Sequence, residues 1–163
     1  MIPLTAVTAA KSEANPWLGA VYAGVFTAIG AIVVVLATVQ TENWIMMLLA
    51  HILVGIGPVL GYQMARGRIG SNWMAILGGA IGAILPVLIF LIWPLVVGLL
   101  DKSQSIGRLY LASLVGVILG IIVFLLLGTV MGQNPSWVGT GFTFLMAVWG
   151  GAIGAFGTAY ARD

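Results

Sequence analysis

The stretch Gly78-Gly79-Ala80-Ile81-Gly82-Ala83 decides how this chain is interpreted, and it recurs unchanged at residues 150–155. A looser copy at residues 27–31 reads Thr-Ala-Ile-Gly-Ala, and all three copies lie inside long apolar segments. In a bilayer, whose lipid tails are as apolar as leucine, small residues let helix backbones approach closely and gain packing contacts. The repeated stretch therefore predicts close helix–helix packing, and it indicates no particular reaction.

The composition of the whole chain predicts an all-α integral membrane protein. Of its 163 residues, 61% are hydrophobic and 6% are charged, whereas globular proteins carry roughly 25% charged residues. Several apolar runs exceed the roughly 20 residues that a helix needs to cross a bilayer. The six Lys and Arg residues are scattered, so no basic face indicates nucleic-acid binding. Because the sequence has no cysteine, disulfides and thiolate metal sites are excluded.

Five apolar segments predict a compact bundle of five transmembrane helices with very short loops, over residues 17–161, after an N-terminal tail at 1–16. The third segment is longer than the roughly 30 Å hydrocarbon core requires. We therefore expect Pro86 and Pro94 to kink or tilt it. An odd number of crossings would place the two ends of the chain on opposite sides. The predicted helices are 17–39, 44–65, 72–100, 106–131 and 137–161.

The distribution of basic residues bears on the orientation of this multi-pass chain in its membrane. With five crossings, the two sides carry equal numbers of Lys and Arg, so the positive-inside rule alone does not set the orientation. Because Arg66 and Arg68 crowd one tight connection, they favour a cytoplasmic N-terminus. The two sides would carry three basic residues each: Lys11, Arg66 and Arg68 against Lys102, Arg108 and Arg162.

Small residues recur four positions apart in all five segments, and such positions form one ridge of a helix. Flat small-residue faces are typical of any tightly packed bundle. Because five helices each carry such a face, we also expect some faces to dock the helices of a partner, and we expect bound lipid. A narrow pore lined by glycine and threonine is a further interpretation. The candidate helix-packing residues are Gly24, Ala28, Gly57, Gly61, Gly78, Gly79, Gly82, Gly116, Gly120, Gly150, Gly151 and Gly154.

His51 is the only histidine of the chain and lies about two turns into the second segment. Ionisable groups inside a membrane are costly and often functional. A neutral imidazole can bind haem or (bacterio)chlorophyll, with Gly55 one turn further leaving room for the macrocycle. The alternative is a structural histidine near the headgroup zone that hydrogen-bonds a neighbouring group. Trp149, by contrast, falls near the middle of its segment and is expected to pack against a neighbour.

Together these features predict a non-catalytic structural or accessory subunit of a larger membrane complex, with other transmembrane subunits and the bilayer as partners. A respiratory or photosynthetic electron-transfer complex is the expected host. The sequence offers no nucleophile paired with a base, so we expect no enzyme, no metal site and no soluble substrate. Two alternatives stay open: a small homo-oligomeric channel or carrier for a neutral solute, and haem or chlorophyll binding through His51.

Overall fold

A computed structural model describes residues 14–40, 43–132 and 134–161, which form six α-helices and no β-strand. Most of the predicted tail at 1–16 lies outside these ranges. A short 3-10 turn, Pro86–Leu88, precedes the fourth helix. The helices are α1 (Pro16–Gln40), α2 (Trp44–Ala65), α3 (Trp73–Gly82), α4 (Ile89–Leu100), α5 (Ile106–Met131) and α6 (Trp137–Ala159).

Four of the described helices, α1, α2, α5 and α6, are long and apolar enough to cross a membrane. The shortest of them, α2, has 22 residues, which at 1.5 Å per residue matches the roughly 30 Å hydrocarbon core. Large apolar side chains cover much of their outer surface, as lipid-facing helices require. The fold therefore fits a multi-pass membrane protein with four candidate crossings, and it does not provide the fifth long helix that the sequence predicted.

The predicted third helix, 72–100, is the part of the interpretation that the structure corrects. Its residues form two short helices, α3 and α4, that pack against each other in opposite directions. A Cβ atom at Gly82 would lie 2.7 Å from the Cα of Trp93, and one at Gly78 would lie 3.2 Å from the Cα of Val97. We call this unit, residues 73–100, the α3–α4 hairpin. It returns to the end of the bundle from which it starts.

Proline chemistry explains where the hairpin turns. Pro86 has no backbone N–H and disfavours helical geometry at the residue before it. Leu85 accordingly adopts an extended conformation, with φ −105° and ψ 92°, and the helix cannot continue through it. Pro94, which was expected to help bend the segment, instead lies buried inside α4.

The hairpin sets the topology of the bundle. Tyr62 near the end of α2 hydrogen-bonds Asp101 after α4, and Gln104 before α5 hydrogen-bonds Gly157 near the end of α6. The start of α1 also contacts the end of α6, where Gly19 meets Thr158. The start of α1 and the end of α6 therefore lie at the same end of the bundle, which we call the N-terminal end. The odd number of crossings predicted the opposite arrangement.

An aromatic cluster joins the hairpin to the long helices. Trp93 and Trp149 are fully buried and meet edge to face, with 5.6 Å between their ring centroids. The indole Nε1 of Trp93 donates to the carbonyl oxygen of Gly55 at 2.7 Å. The indole Nε1 of Trp149 donates to Ser113 Oγ at 2.9 Å, and that hydroxyl donates to the Phe90 carbonyl at 2.8 Å. Trp149 thus packs against neighbours, as its position in the sequence indicates.

Candidate functional site

A buried carboxylate organises the N-terminal end of the bundle. Asp101 is 1% exposed and follows the last residue of α4. Its Oδ2 accepts a 2.5 Å hydrogen bond from the Tyr62 hydroxyl, and its Oδ1 accepts one of 2.9 Å from Asn72 Nδ2. The backbone N–H and the hydroxyl of Ser103 also donate to Oδ1. Because a buried charge is tolerated when it is fully hydrogen-bonded, this network can hold the ends of α2, α3 and α4 together.

The connection between α2 and α3 is closed by a second buried amide. Gln63 Nε2 donates to the Asn72 carbonyl at 2.9 Å, and the Gly70 N–H donates to Gln63 Oε1 at 3.0 Å. Gly67 and Gly70 have φ angles of 63° and 71°, a conformation that glycine adopts without steric cost. Asp101 and Gln63 were not predicted as site residues. Each lies near the end of a predicted helix, and nothing in the sequence indicates that these ends meet.

Beside this network lies a cavity of about 570 Å³ that opens at the N-terminal end. Burial lowers the pKa of the Arg66 guanidinium, the nearby charge of Arg68 lowers it further, and Asp101 opposes this effect. The positively charged side chains of Arg66 and Arg68 are therefore close enough to interact, and that of Arg66 is partly desolvated. The side chains around the cavity include Arg66, Arg68, Lys102, Asp101, Met74 and Leu100. We call it the cationic cavity.

All basic residues that the structure describes lie at the N-terminal end. Lys102 and Arg108, which the five-helix prediction placed opposite Arg66 and Arg68, are on the same side because the hairpin turns back. Arg108 donates to the Tyr160 carbonyl at 3.1 Å, away from the cationic cavity. In the sequence, the stretches that join α1 to α2 and α5 to α6, 41–43 and 132–136, contain no Lys or Arg. Lys11 and Arg162 lie outside the described residues.

The turn of the α3–α4 hairpin, residues 83–88, forms a second candidate site, which we call the hairpin tip. Ala83 contacts Gly55, which lies midway along α2, so the tip lies at half the height of the bundle. Its backbone is irregular, with short-range bonds such as Leu88 N–H to the Leu85 carbonyl at 3.0 Å. Leu85 is 51% exposed, and Ile84 and Leu88 are also exposed. The tip thus offers an apolar surface that lies outside the α-helices.

His51 faces a small pocket next to the hairpin tip. Its Nδ1 lies 2.7 Å from the carbonyl oxygen of Met47. Because a carbonyl only accepts, Nδ1 is the donor in this bond. The pocket has a volume of about 230 Å³, below the roughly 300–1,000 Å³ of typical ligand sites. Gly55, expected to leave room for a macrocycle, packs instead against the Gly79 carbonyl.

The candidate packing glycines of α2 and α6 face α1. A Cβ atom at Gly57 would lie 2.6 Å from the backbone nitrogen of Thr27, so a larger residue would push the two helices apart. Ala28 of α1 is half-buried. The other candidates that lie in contacts of α1 with α2 or α6 are Gly24, Gly61, Gly150, Gly151 and Gly154.

The remaining candidate glycines lie in contacts among the other helices. Gly116 of α5 faces α6, where a Cβ atom would lie 2.8 Å from the Cα of Trp149. Every candidate glycine therefore faces a helix of the same chain, which removes the surplus of small faces that suggested docking of a partner. The other members of this group are Gly78, Gly79, Gly82 and Gly120.

Comparisons of the chain with protein-family models, with curated proteins and with solved structures find no match. The class of the protein therefore follows from its composition and fold, which fit a multi-pass helical membrane protein. Its distinguishing features are the hairpin tip, the pocket at His51 and the cationic cavity.

Proposed function

We propose that this chain is a non-catalytic structural subunit of a larger membrane protein complex and that its hairpin tip contacts a transmembrane partner. Helix α3 has 10 residues, so it rises about 15 Å, half the depth of the roughly 30 Å hydrocarbon core. Irregular backbone at that depth is tolerated only where it is covered by protein or lines a water-filled cavity. The exposed tip is the observation that carries the proposal.

The exposed side chains of the tip are apolar, which favours contact with protein over contact with water. Ile84, Leu85 and Leu88 expose apolar side chains, and an aqueous cavity would hydrate them at a cost of roughly 25 cal/mol per Å² of apolar surface. An apolar helix of a partner would cover both the side chains and the irregular backbone. The candidate glycine faces contact helices of the same chain, so the proposal rests on the hairpin tip.

The proposal includes a topology of four crossings plus one hairpin that enters and leaves on the same side, in place of the five crossings expected from the sequence. The N-terminal end would face the cytoplasm, because cytoplasmic connections carry an excess of Lys and Arg. Four described basic residues support this orientation: Arg66, Arg68, Lys102 and Arg108. A respiratory or photosynthetic electron-transfer complex remains the host that we propose.

Site-specific photocrosslinking in the native membrane tests the tip contact. A photoreactive residue at Leu85 is expected to capture one discrete polypeptide. The matched control is Leu125 on α5, which is 61% exposed and is expected to capture lipid. Capture of lipid alone at Leu85 would overturn the proposal. Capture of a second copy of this chain would replace the hetero-complex by a homo-oligomer, as the channel alternative requires.

The native mass of the gently extracted protein, with the absorption spectrum of the same peak, identifies the host. Co-migration with other polypeptides is the expected result, and a visible spectrum would show that the host carries redox cofactors or pigment. A colourless species made of this chain alone would contradict the proposal. Flux measurements in liposomes would then be the next experiment.

A further inference from the structure

The charge of the cationic cavity supports an inference that does not depend on the proposed partner. Three basic side chains, Arg66, Arg68 and Lys102, and one carboxylate, Asp101, surround it, so three positive charges and one negative charge leave a net charge of +2. The carboxylate already accepts four hydrogen bonds from Tyr62, Asn72 and Ser103. Among the described residues that line the cavity, positive charge exceeds negative charge.

The neighbouring guanidinium groups favour an anion. Arg66 is partly desolvated, and its charge and that of Arg68 disfavour each other, as the lowered pKa of Arg66 reflects. An anion bound in the cavity would offset this repulsion. Arginine presents a planar fork of donors that matches the oxygen atoms of phosphate. The hydroxyl of Ser71, which also lines the cavity, donates to the Arg68 carbonyl at 2.7 Å, so the donors for an anion are the basic side chains.

The apolar wall of the cavity indicates an amphiphile. Met74 in the first turn of α3 and Leu100 at the end of α4 line the same space as the basic residues. The cavity thus offers cations toward the aqueous side and hydrocarbon toward the membrane. Basic pockets between helices on the cytoplasmic side are known to receive anionic lipid headgroups. We propose that the cationic cavity binds the phosphate headgroup of an anionic phospholipid, with the acyl chains lying along α3 and α4.

Lipid retention measured by native mass spectrometry tests this site. Detergent-purified protein is titrated with phosphatidylglycerol and, in parallel, with phosphatidylcholine of the same acyl chains. We expect phosphatidylglycerol to bind more tightly. Each cation near a membrane surface contributes about 1 kcal/mol to the attraction of anionic lipid, so R68Q is expected to weaken binding roughly fivefold. K102Q is expected to act similarly. R68K keeps the charge but loses the planar fork of donors, so it is expected to weaken binding less than R68Q does.

The matched control is R108Q, which removes one positive charge at the same end of the bundle but outside the cavity. It is expected to leave phosphatidylglycerol binding unchanged. Equal losses in R68Q and R108Q would indicate general charge attraction and overturn the site, as would equal affinity for the two lipids. Displacement of phosphatidylglycerol by millimolar inorganic phosphate would show that the cavity binds a soluble anion instead. Circular dichroism and melting of each variant verify that it is folded, and none of these results depends on the partner at the hairpin tip.

Discussion

The hydroxyl of Tyr62 donates a 2.5 Å hydrogen bond to Oδ2 of Asp101, two residues that are 39 positions apart and both 1% exposed. This bond joins the end of α2 to the end of the hairpin, so it fixes where the hairpin returns. Hydrogen bonds to charged groups contribute more than neutral ones. The base of the hairpin is thus held by a polar contact, whereas its upper part is held by aromatic packing.

Removing the carboxylate should therefore loosen the bundle. D101A would leave the buried donors of Tyr62 and Asn72 without their acceptor, and we expect it to lower the free energy of unfolding by about 3 kcal/mol. Y62F, which removes a single hydrogen bond, should cost about 1.5 kcal/mol. Denaturant titration in mixed micelles measures both. Equal stability of D101A and the unaltered protein would contradict the role given to this network.

The indole of Trp93 should stabilise the fold through its N–H hydrogen bond as well as through its packing. W93F keeps an aromatic ring but removes the donor to the Gly55 carbonyl and some packing against Trp149. We expect it to lower the stability by about 2 kcal/mol. The matched control is W73F at the first residue of α3, where the side chain is 64% exposed and the change should be near neutral. The same loss in both variants would show that the buried contact is not responsible.

The path of the hairpin is the part of the fold that was not predicted from the sequence. The apolar runs at 44–65 and 106–131 end at polar or small residues and coincide with α2 and α5, because a local pattern is enough to define such helices. The run 72–100 has the same composition, yet it turns at Pro86. Its length and its central proline were the available signals. What decides between a kink and a complete reversal is tertiary, since small residues such as Gly82 let α4 pack directly on α3.

The cationic cavity could not be predicted for the same reason. A continuous third helix separates Lys102 from Arg66 by a whole membrane, and only the reversal brings them together. His51, in contrast, was visible in the sequence as the only histidine, but its hydrogen bond to Met47 and the small size of its pocket were not.

A glycine pair tests the packing interface between α1 and α6. A Cβ atom at Gly154 would collide with the carbonyl oxygen of Gly19, whereas one at Gly107 would meet nothing within 4 Å. Forcing extra volume into a packed contact costs about 1–3 kcal/mol, so G154A should be destabilised by that amount. G107A is the control and should be neutral or slightly stabilised, because alanine is the better helix former. Thermal unfolding in detergent compares the two, and indistinguishable melting would refute the close contact.

His51 provides a prediction about pigment binding. The pocket at His51 is small, and Gly55 packs against α3. We therefore expect the purified chain to show no haem or chlorophyll absorption that depends on His51. H51Q should keep a side chain able to donate to the Met47 carbonyl and should cost less than about 1 kcal/mol. An absorption band that is present in the unaltered protein and lost in H51Q would overturn this expectation and restore the cofactor interpretation.

The last prediction concerns the two ends of the hairpin, which flank it at Ser71 and Lys102. If residues 72–100 return to the side from which they start, cysteines placed at these two positions should react with a membrane-impermeant maleimide from the same side. A cysteine at Ser136, between α5 and α6, should react from the opposite side. The sequence has no native cysteine, so each single variant gives an unambiguous signal in right-side-out and inside-out vesicles. Labelling of Ser71 and Lys102 from opposite sides would mean that 72–100 crosses the membrane, and it would remove the argument for a partner at the hairpin tip. Labelling of both from the cytoplasmic side would also support the proposed orientation, which rests on the positive-inside rule.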